Sequence, residues 1–235
     1  MEPSVNPGKE LTVQIEGKTY ERYALKTHFV TIGENLIELA KEYAQPNWKP
    51  GDVLSISEKV VALCQKRVVY RDQIHPGFWA KLLYRFVGVT PAGPGAGTAH
   101  KMQLIIMQCG LWRVLLAALC SALTKPFGKK GVFYRVCGND VGGIDGLIDY
   151  DISFPEYVHY AILSPLYPDE VCRAVEAETG MPCIIIDACD LDVQILGKSE
   201  GVKQSNALLH GILADNPAGQ DDEQTPLLLL REIWP

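Results

Sequence analysis

The residues best suited to chemistry are aspartates gathered in two short stretches. In MPCIIIDACDLDVQILG, residues 181–197, a run of buried-strand residues is broken by Asp187, with Asp190 and Asp192 close behind. Carboxylates at the carboxyl end of a buried strand suit a hard cation with oxygen ligands, Mg²⁺ or Mn²⁺. The same arrangement also caps a turn, and both readings stay open. The second stretch, NDVGGIDGLIDYD, sets Asn139, Asp140, Asp145, Asp149 and Asp151 among glycines that allow close backbone approach. Two aspartates from separate loops would complete a Mg²⁺ site that leaves positions for phosphate oxygens and water. The plainer alternative is a solvated acidic turn.

Between the helix-forming segments lies GVTPAGPGAGTA, residues 88–99. Its Gly95 and Gly97 could expose backbone N–H groups to phosphate, with Thr98 near the start of the next helix. His100 and Lys101 fall in that helix's first turn. The loop lacks the Gly-Lys-Ser/Thr ending of a P-loop and does not form a GxGxxG unit after a clear strand, so a surface loop is an equal alternative. The acidic group at 219–224 reads as a solvated turn. None of the five histidines has metal spacing, and no Ser-His-Asp or Cys-His signature is present.

The elements that must position these residues can be read from periodicity. Alternation over 11–20 predicts a strand or hairpin interrupted by Gly17. Helical spacing over 33–44 is ended by Pro46 and the turn at 49–52. VLSISEKVVALCQKRVV reads as strand, short helix or turn, and strand. A short helix is expected over 76–86, then one long helix over 101–124, a strand over 131–138 and a strand over 160–163. The remainder reads as a helix over 168–180, the buried strand 181–187, a helix over 204–215 and a last strand within 224–232. Without regular βαβ alternation, the fold class is α+β. One domain over 1–235 is expected, with residues 1–10 as a loose lead-in.

With 47% apolar and 21% charged residues, the chain has a globular composition. A net charge of −6 argues against a nucleic-acid groove. Seven cysteines without a CxxC pair suggest a reduced interior. MEPSVNPGKE has no apolar core of a secretory kind, so a cytoplasmic setting is expected. LIIMQCGLWRVLLAALCSAL is long enough to span a bilayer, but Arg113 at its centre costs about 2.5–3.5 kcal/mol on insertion scales. It is expected instead to be a core helix, or one buried in an obligate dimer, and no membrane partner is expected.

Taken in order, these segments resemble the coenzyme F(420) gamma-glutamyl ligases over roughly residues 30–232. GENLIELAKEYAQPNWKPGDVLSISEKVVALCQKRVV is similar to the family's opening, with Gly51-Asp52-Val53-Leu54 and Ser57-Glu58-Lys59 standing in its turn and strand motifs. VCGNDVGGID resembles its asparagine and Ile-Asp loop. LSPLYPDEVCRAVEAETGMPCIIIDACD resembles its Pro-Asp helix followed by an Asp-Thr strand, and DDEQTPLLLLREI resembles its ending. The resemblance implies an intertwined α+β homodimer that uses GTP (or ATP) with Mg²⁺ or Mn²⁺ to form an amide. It implies metal ligation by Asp187 and by Asp145 or its competitor Asp149, with Asp190 nearby. It further implies nucleotide contacts from Asn139 and Lys59, beside Gly95, Gly97 and Thr98.

The chain departs from the pattern in two places. Ala188 replaces the threonine after Asp187, and no arginine lies between Arg173 and Arg231. The expected activity is a metal- and nucleotide-dependent ligase acting through an acyl phosphate, on a substrate the sequence does not name. Its rival is a non-catalytic nucleotide- or metal-binding homologue of the same fold.

Overall fold

The computed structural model describes residues 4–87, 96–129, 131–147, 154–189, 192–219 and 222–233. They fall into two compact units, Met1–Lys66 with Pro165–Pro235, and Arg67–Ser164. The first unit opens with β1 (Thr12–Ile15) and β2 (Lys18–Leu25). It continues through α1 (Leu36–Leu39), which widens into a π turn over Ala40–Ala44, then β3 (Val53–Ser57) and α2 (Glu58–Cys64). The second unit holds β4 (Val68–Tyr70), α3 (Phe78–Leu83), α4 (Ala99–Cys109), α5 (Leu111–Thr124), α6 (Val132–Cys137), α7 (Asn139–Gly142), β5 (Asp145–Gly146) and β6 (Tyr160–Ile162). The chain then returns to the first unit through α8 (Pro168–Thr179), β7 (Cys183–Cys189), β8 (Asp192–Lys198), α9 (Asn206–Leu213) and β9 (Leu227–Ile233). The architecture is mixed α+β.

In the first unit six strands form one sheet in the order β1-β2-β9-β3-β7-β8. Of its neighbouring pairs, β3 and β7 run parallel and the others antiparallel. The central strands are buried on both faces, so they read as continuous apolar runs. One face sets Leu54, Ile56, Cys183, Ile185, Leu227 and Leu229 against residues of α1, α2 and α8. The other sets Val53, Ile184, Ile186, Leu228 and Leu230 against α9. Buried Arg22 donates to Asp215 and to the Ile212 carbonyl, at 3.0 Å, pinning the end of α9 to β2.

Local chemistry sets the element ends. The Asn35 side chain accepts from the Ile37 N–H at 2.9 Å and starts α1. Pro168 occupies the first position of α8, with Asp169 and Glu170 complementing its dipole, and Gly180 stops it. At Gly197 the fold needs a missing side chain, because a Cβ there would lie 2.5 Å from the Pro168 backbone carbon. The amino-terminal residues are not loose from residue 4 onward. Ser4 pairs with Ala24, and buried Asn6 donates to the Pro217 carbonyl at 2.9 Å and to the Thr225 hydroxyl at 2.7 Å.

Three expectations are corrected in the second unit. The helix expected over 101–124 is two helices, α4 and α5, because Gly110 adopts φ 82°, ψ 149° between them, a conformation that suits glycine. The Ala99–Cys109 and Leu111–Phe127 segments bend by 115°. Nor is α5 a core helix, since only Val114 and Ala117 of it are buried. The segment expected as a strand over 131–138 is the helix α6. Its β-branched and aromatic residues suit a strand in isolation, but Gly131 and Gly138 bound a single helical segment whose Val136 carbonyl takes a 2.8 Å hydrogen bond from Arg113. The three-stranded sheet β4-β6-β5 completes this unit.

Candidate functional site

The ends of β3 and β7 define a candidate site in the first unit. Ser57, the last residue of β3, pairs with Ile186 in parallel register, so the first turn of α2 begins where β7 reaches Asp187. Alternation along β7 puts Asp187 on the face of Cys183 and Ile185, the face that Val60 and Val61 of α2 cover. The same end of the sheet receives the residues before β9, where the Ser57 N–H donates to the Pro226 carbonyl at 2.9 Å. Ligand crevices in open sheets form beyond the carboxyl ends of parallel strands, and here that end holds Glu58, Lys59 and Asp187.

The buried run of β7 ends at Ile186, and Asp187 is half-buried, as the sequence implied. The strand itself goes on to Cys189, however. It finds a partner in β8, with Asp187 opposite Gln194. Asp187 is therefore a ladder residue of a hairpin rather than the end of a strand. Glu58, only 7% exposed, is the residue that sequence reasoning missed. An acid in a first helical turn is ordinary; what marks this one is its burial just beyond a strand whose first four residues are buried.

A second group forms in the other unit. Thr98 caps α4 by accepting from the Lys101 N–H at 3.2 Å, and Gly97 precedes it. The Lys101 side chain is buried and its Nζ donates to the Ile144 carbonyl at 3.4 Å, next to Asp145 in β5. Asp145 pairs with Ile162. Thr98, Lys101 and Asp145 thus gather around one helix start, although Lys101 is spent on the protein's own backbone rather than projecting to solvent. Asn139 opens α7. Asp149, Asp190 and Gly95 lie outside the described residues. Within the first unit Lys59 lies two residues after Ser57, which pairs with Ile186 next to Asp187, and within the second Lys101 links the Thr98 cap to Ile144, next to Asp145.

Several other chemistries find no support. Burial pushes the thiols of Cys64 and Cys137 up to about 12, so neither is a thiolate near neutral pH. Among the described residues no three His, Cys, Asp or Glu side chains cluster as a ready-made metal cage. Glu58 and Asp187, near the end of the parallel pair, are oxygen donors of the kind a hard cation takes. Mg²⁺ is commonly held by one or two carboxylates, with substrate phosphates and water completing its shell.

The family model for F420-0:Gamma-glutamyl ligase matches residues 24–217. The chain belongs to that family. No curated protein matches it. The match covers β3, α2, β7 and β8, hence Lys59 and Asp187, as well as Thr98 and Asp145 in the other unit. It stops before β9, so the likeness of DDEQTPLLLLREI to the family's ending is carried by sequence pattern alone. The ligase family makes an amide bond.

Proposed function

We propose that the protein is a metal- and nucleotide-dependent ligase that forms an amide through an acyl phosphate. One observation supports the reading: in a chain of this family, β3 and β7 run parallel with Ser57 opposite Ile186, so Glu58 and Lys59 on one segment and Asp187 on the other follow directly after the last paired positions. Asp187 and Glu58 offer hard oxygen donors for Mg²⁺ or Mn²⁺, and a bound cation there would offset the charge of a nucleotide's phosphates. Lys59, at the start of α2, supplies a point charge for a phosphate oxygen. Asp145 and Thr98 are the corresponding candidates of the second unit, Asp145 for the cation and Thr98 for phosphate.

The reaction balances simply. A substrate carboxylate oxygen attacks the γ-phosphorus of GTP (or ATP) and the nucleoside diphosphate leaves. An amine then attacks the acyl carbon, phosphate departs with the carboxylate oxygen, and the amine's proton passes to solvent or a base. The protein's task is positioning and electrostatics rather than supplying a nucleophile.

This reading is tested by labelling the substrate carboxylate with ¹⁸O and following the label. Transfer of one labelled oxygen into inorganic phosphate, in step with amide formation, supports it. Unlabelled phosphate released alongside amide rejects the acyl phosphate route.

A further inference from the structure

We propose that Tyr43, His28 and Glu34 form a proton relay at the rim of the first unit's site, which takes the proton released when an amine attacks the acyl phosphate. The role rests on the ligase reading. His28 stands between the other two: its Nδ1 lies 2.7 Å from the Tyr43 hydroxyl, and its Nε2 lies 2.7 Å from one Glu34 oxygen. The other Glu34 oxygen accepts from the Thr31 hydroxyl, also at 2.7 Å, which fixes the carboxylate. An ionised carboxylate only accepts. The ring hydrogen therefore sits on Nε2, and Nδ1 is left to accept from Tyr43. That order of carboxylate, imidazole and hydroxyl is the one that draws a proton off a hydroxyl in serine hydrolases. With both ring nitrogens engaged, an outside proton reaches Nδ1 through the Tyr43 oxygen.

The register of the sheet places the relay. Leu25 ends β2 opposite Leu227, Leu227 lies opposite Ile56, and Ile56 lies opposite Ile185. The chain therefore leaves β2 on the rim where α2 begins and β7 reaches Asp187. Three strand spacings, about 14 Å, separate β2 from β7, which leaves room for a substrate between them. The segment then folds over the face that Asp187 shares. Val30, Leu36 and Tyr43 pack in one apolar layer with Val60 and Val61 of α2, and the Gly33 N–H donates to the Leu63 carbonyl at 2.9 Å. The titratable groups around the ring are Glu34, Tyr43 and Glu42, whose side chain also meets the Tyr43 hydroxyl. Cys64 lies beside Glu34, and the Lys66 side chain lies against Gly33. In the step, the amine nitrogen bonds the acyl carbon and phosphate leaves with the C–O bond's electrons. The amine proton passes to the Tyr43 oxygen as the Tyr43 hydroxyl proton passes to His28 Nδ1. The imidazolium beside Glu34 then returns a proton to solvent.

The test gives the full chain GTP, Mn²⁺ and the coenzyme F(420) precursor as carboxylate, with either of two amines. Hydroxylamine is unprotonated near neutral pH and traps an acyl phosphate with little help from a base, whereas L-glutamate presents an amine that must shed its proton. The ratio of glutamyl product to hydroxamate should fall at least about tenfold in Tyr43→Phe and in His28→Ala. The His28 side chain is 45% exposed, so added imidazole should restore the ratio in His28→Ala, which a merely structural loss would not allow. A ratio that stays at the wild-type value, or falls in His28→Ala without recovering, overturns the relay. Absence of hydroxamate from the wild-type chain instead removes the ligase reading, and this role with it. In the resting protein the ¹⁵N shifts of the His28 ring should show the hydrogen on Nε2. A hydrogen on Nδ1 with Nε2 bare overturns the relay whatever the chain's substrates.

Discussion

Asp187 stands half-buried on the α2-covered face of β7, one position beyond the end of β3, where its charge matters more than its bulk. Asp187→Asn keeps the size and removes the charge, so Mn²⁺ affinity by calorimetry should fall at least about tenfold while the fold persists. Unchanged affinity would place the cation elsewhere. A second carboxylate gives a pH prediction. Burial alone would raise Glu34, but the Thr31 N–H and hydroxyl, then the His28 ring at 2.7 Å, outweigh it and hold Glu34 below the ordinary carboxylate range. A carboxyl lowered on folding contributes stability above its unfolded value, and that stability is lost as pH falls through the folded value. An NMR titration of Glu34 should show the lowered midpoint, and Thr31→Val should raise it. Asp187 could be found in the sequence because it interrupts an apolar run. Glu58 could not, because its significance depends on β3 lying beside β7, a pairing between segments far apart in the chain.

At the scale of elements, the boundary between α4 and α5 rests on Gly110. A side chain at φ 82°, ψ 149° is strained whatever space surrounds it, and Gly110→Ala should cost about 1–3 kcal/mol, read from a lowered urea midpoint. Continuous apolar composition hid this break, since periodicity alone sees one long run there; the glycine was its only sign. The strand expected at 131–138 failed for a related reason: β-propensity reports a fit to a pleated surface, and this segment packs on α5 instead. The central sheet was readable because both of its faces are buried and its strands are uniformly apolar. Its rim is tied by Asp52, 1% exposed, which takes hydrogen bonds of 2.8 and 2.6 Å from Arg231. Asp52→Ala leaves that guanidinium without its carboxylate and should destabilise the unit by about 3 kcal/mol, with an unchanged denaturant slope.

For the whole molecule, family membership establishes a ligase ancestry, and the charge layout bears on what the protein accepts. No arginine lies between Arg173 and Arg231, so the bidentate grip that a guanidinium gives a carboxylate or phosphate is missing after Asp187. Of the lysines there, Lys198 Nζ donates to the Gln204 carbonyl at 2.6 Å and Lys203 Nζ to the Glu200 carbonyl at 2.9 Å. Glutamate addition to the coenzyme F(420) precursor should therefore be slow, as chromatography of the product would show. The order of motifs made the family recognisable from sequence, while the exposed face of α5 needed the fold, since composition cannot say which side of a helix points out. The central claim is that the protein couples nucleotide cleavage to amide formation, and phosphate release from GTP by the purified chain tests it most directly. With Mn²⁺ and a panel of carboxylates and amines, phosphate should appear only when metal, carboxylate and amine are all present, and should vanish in Asp187→Asn. Tight nucleotide binding with no phosphate released under any pairing would contradict the account and mark the protein as a non-catalytic relative.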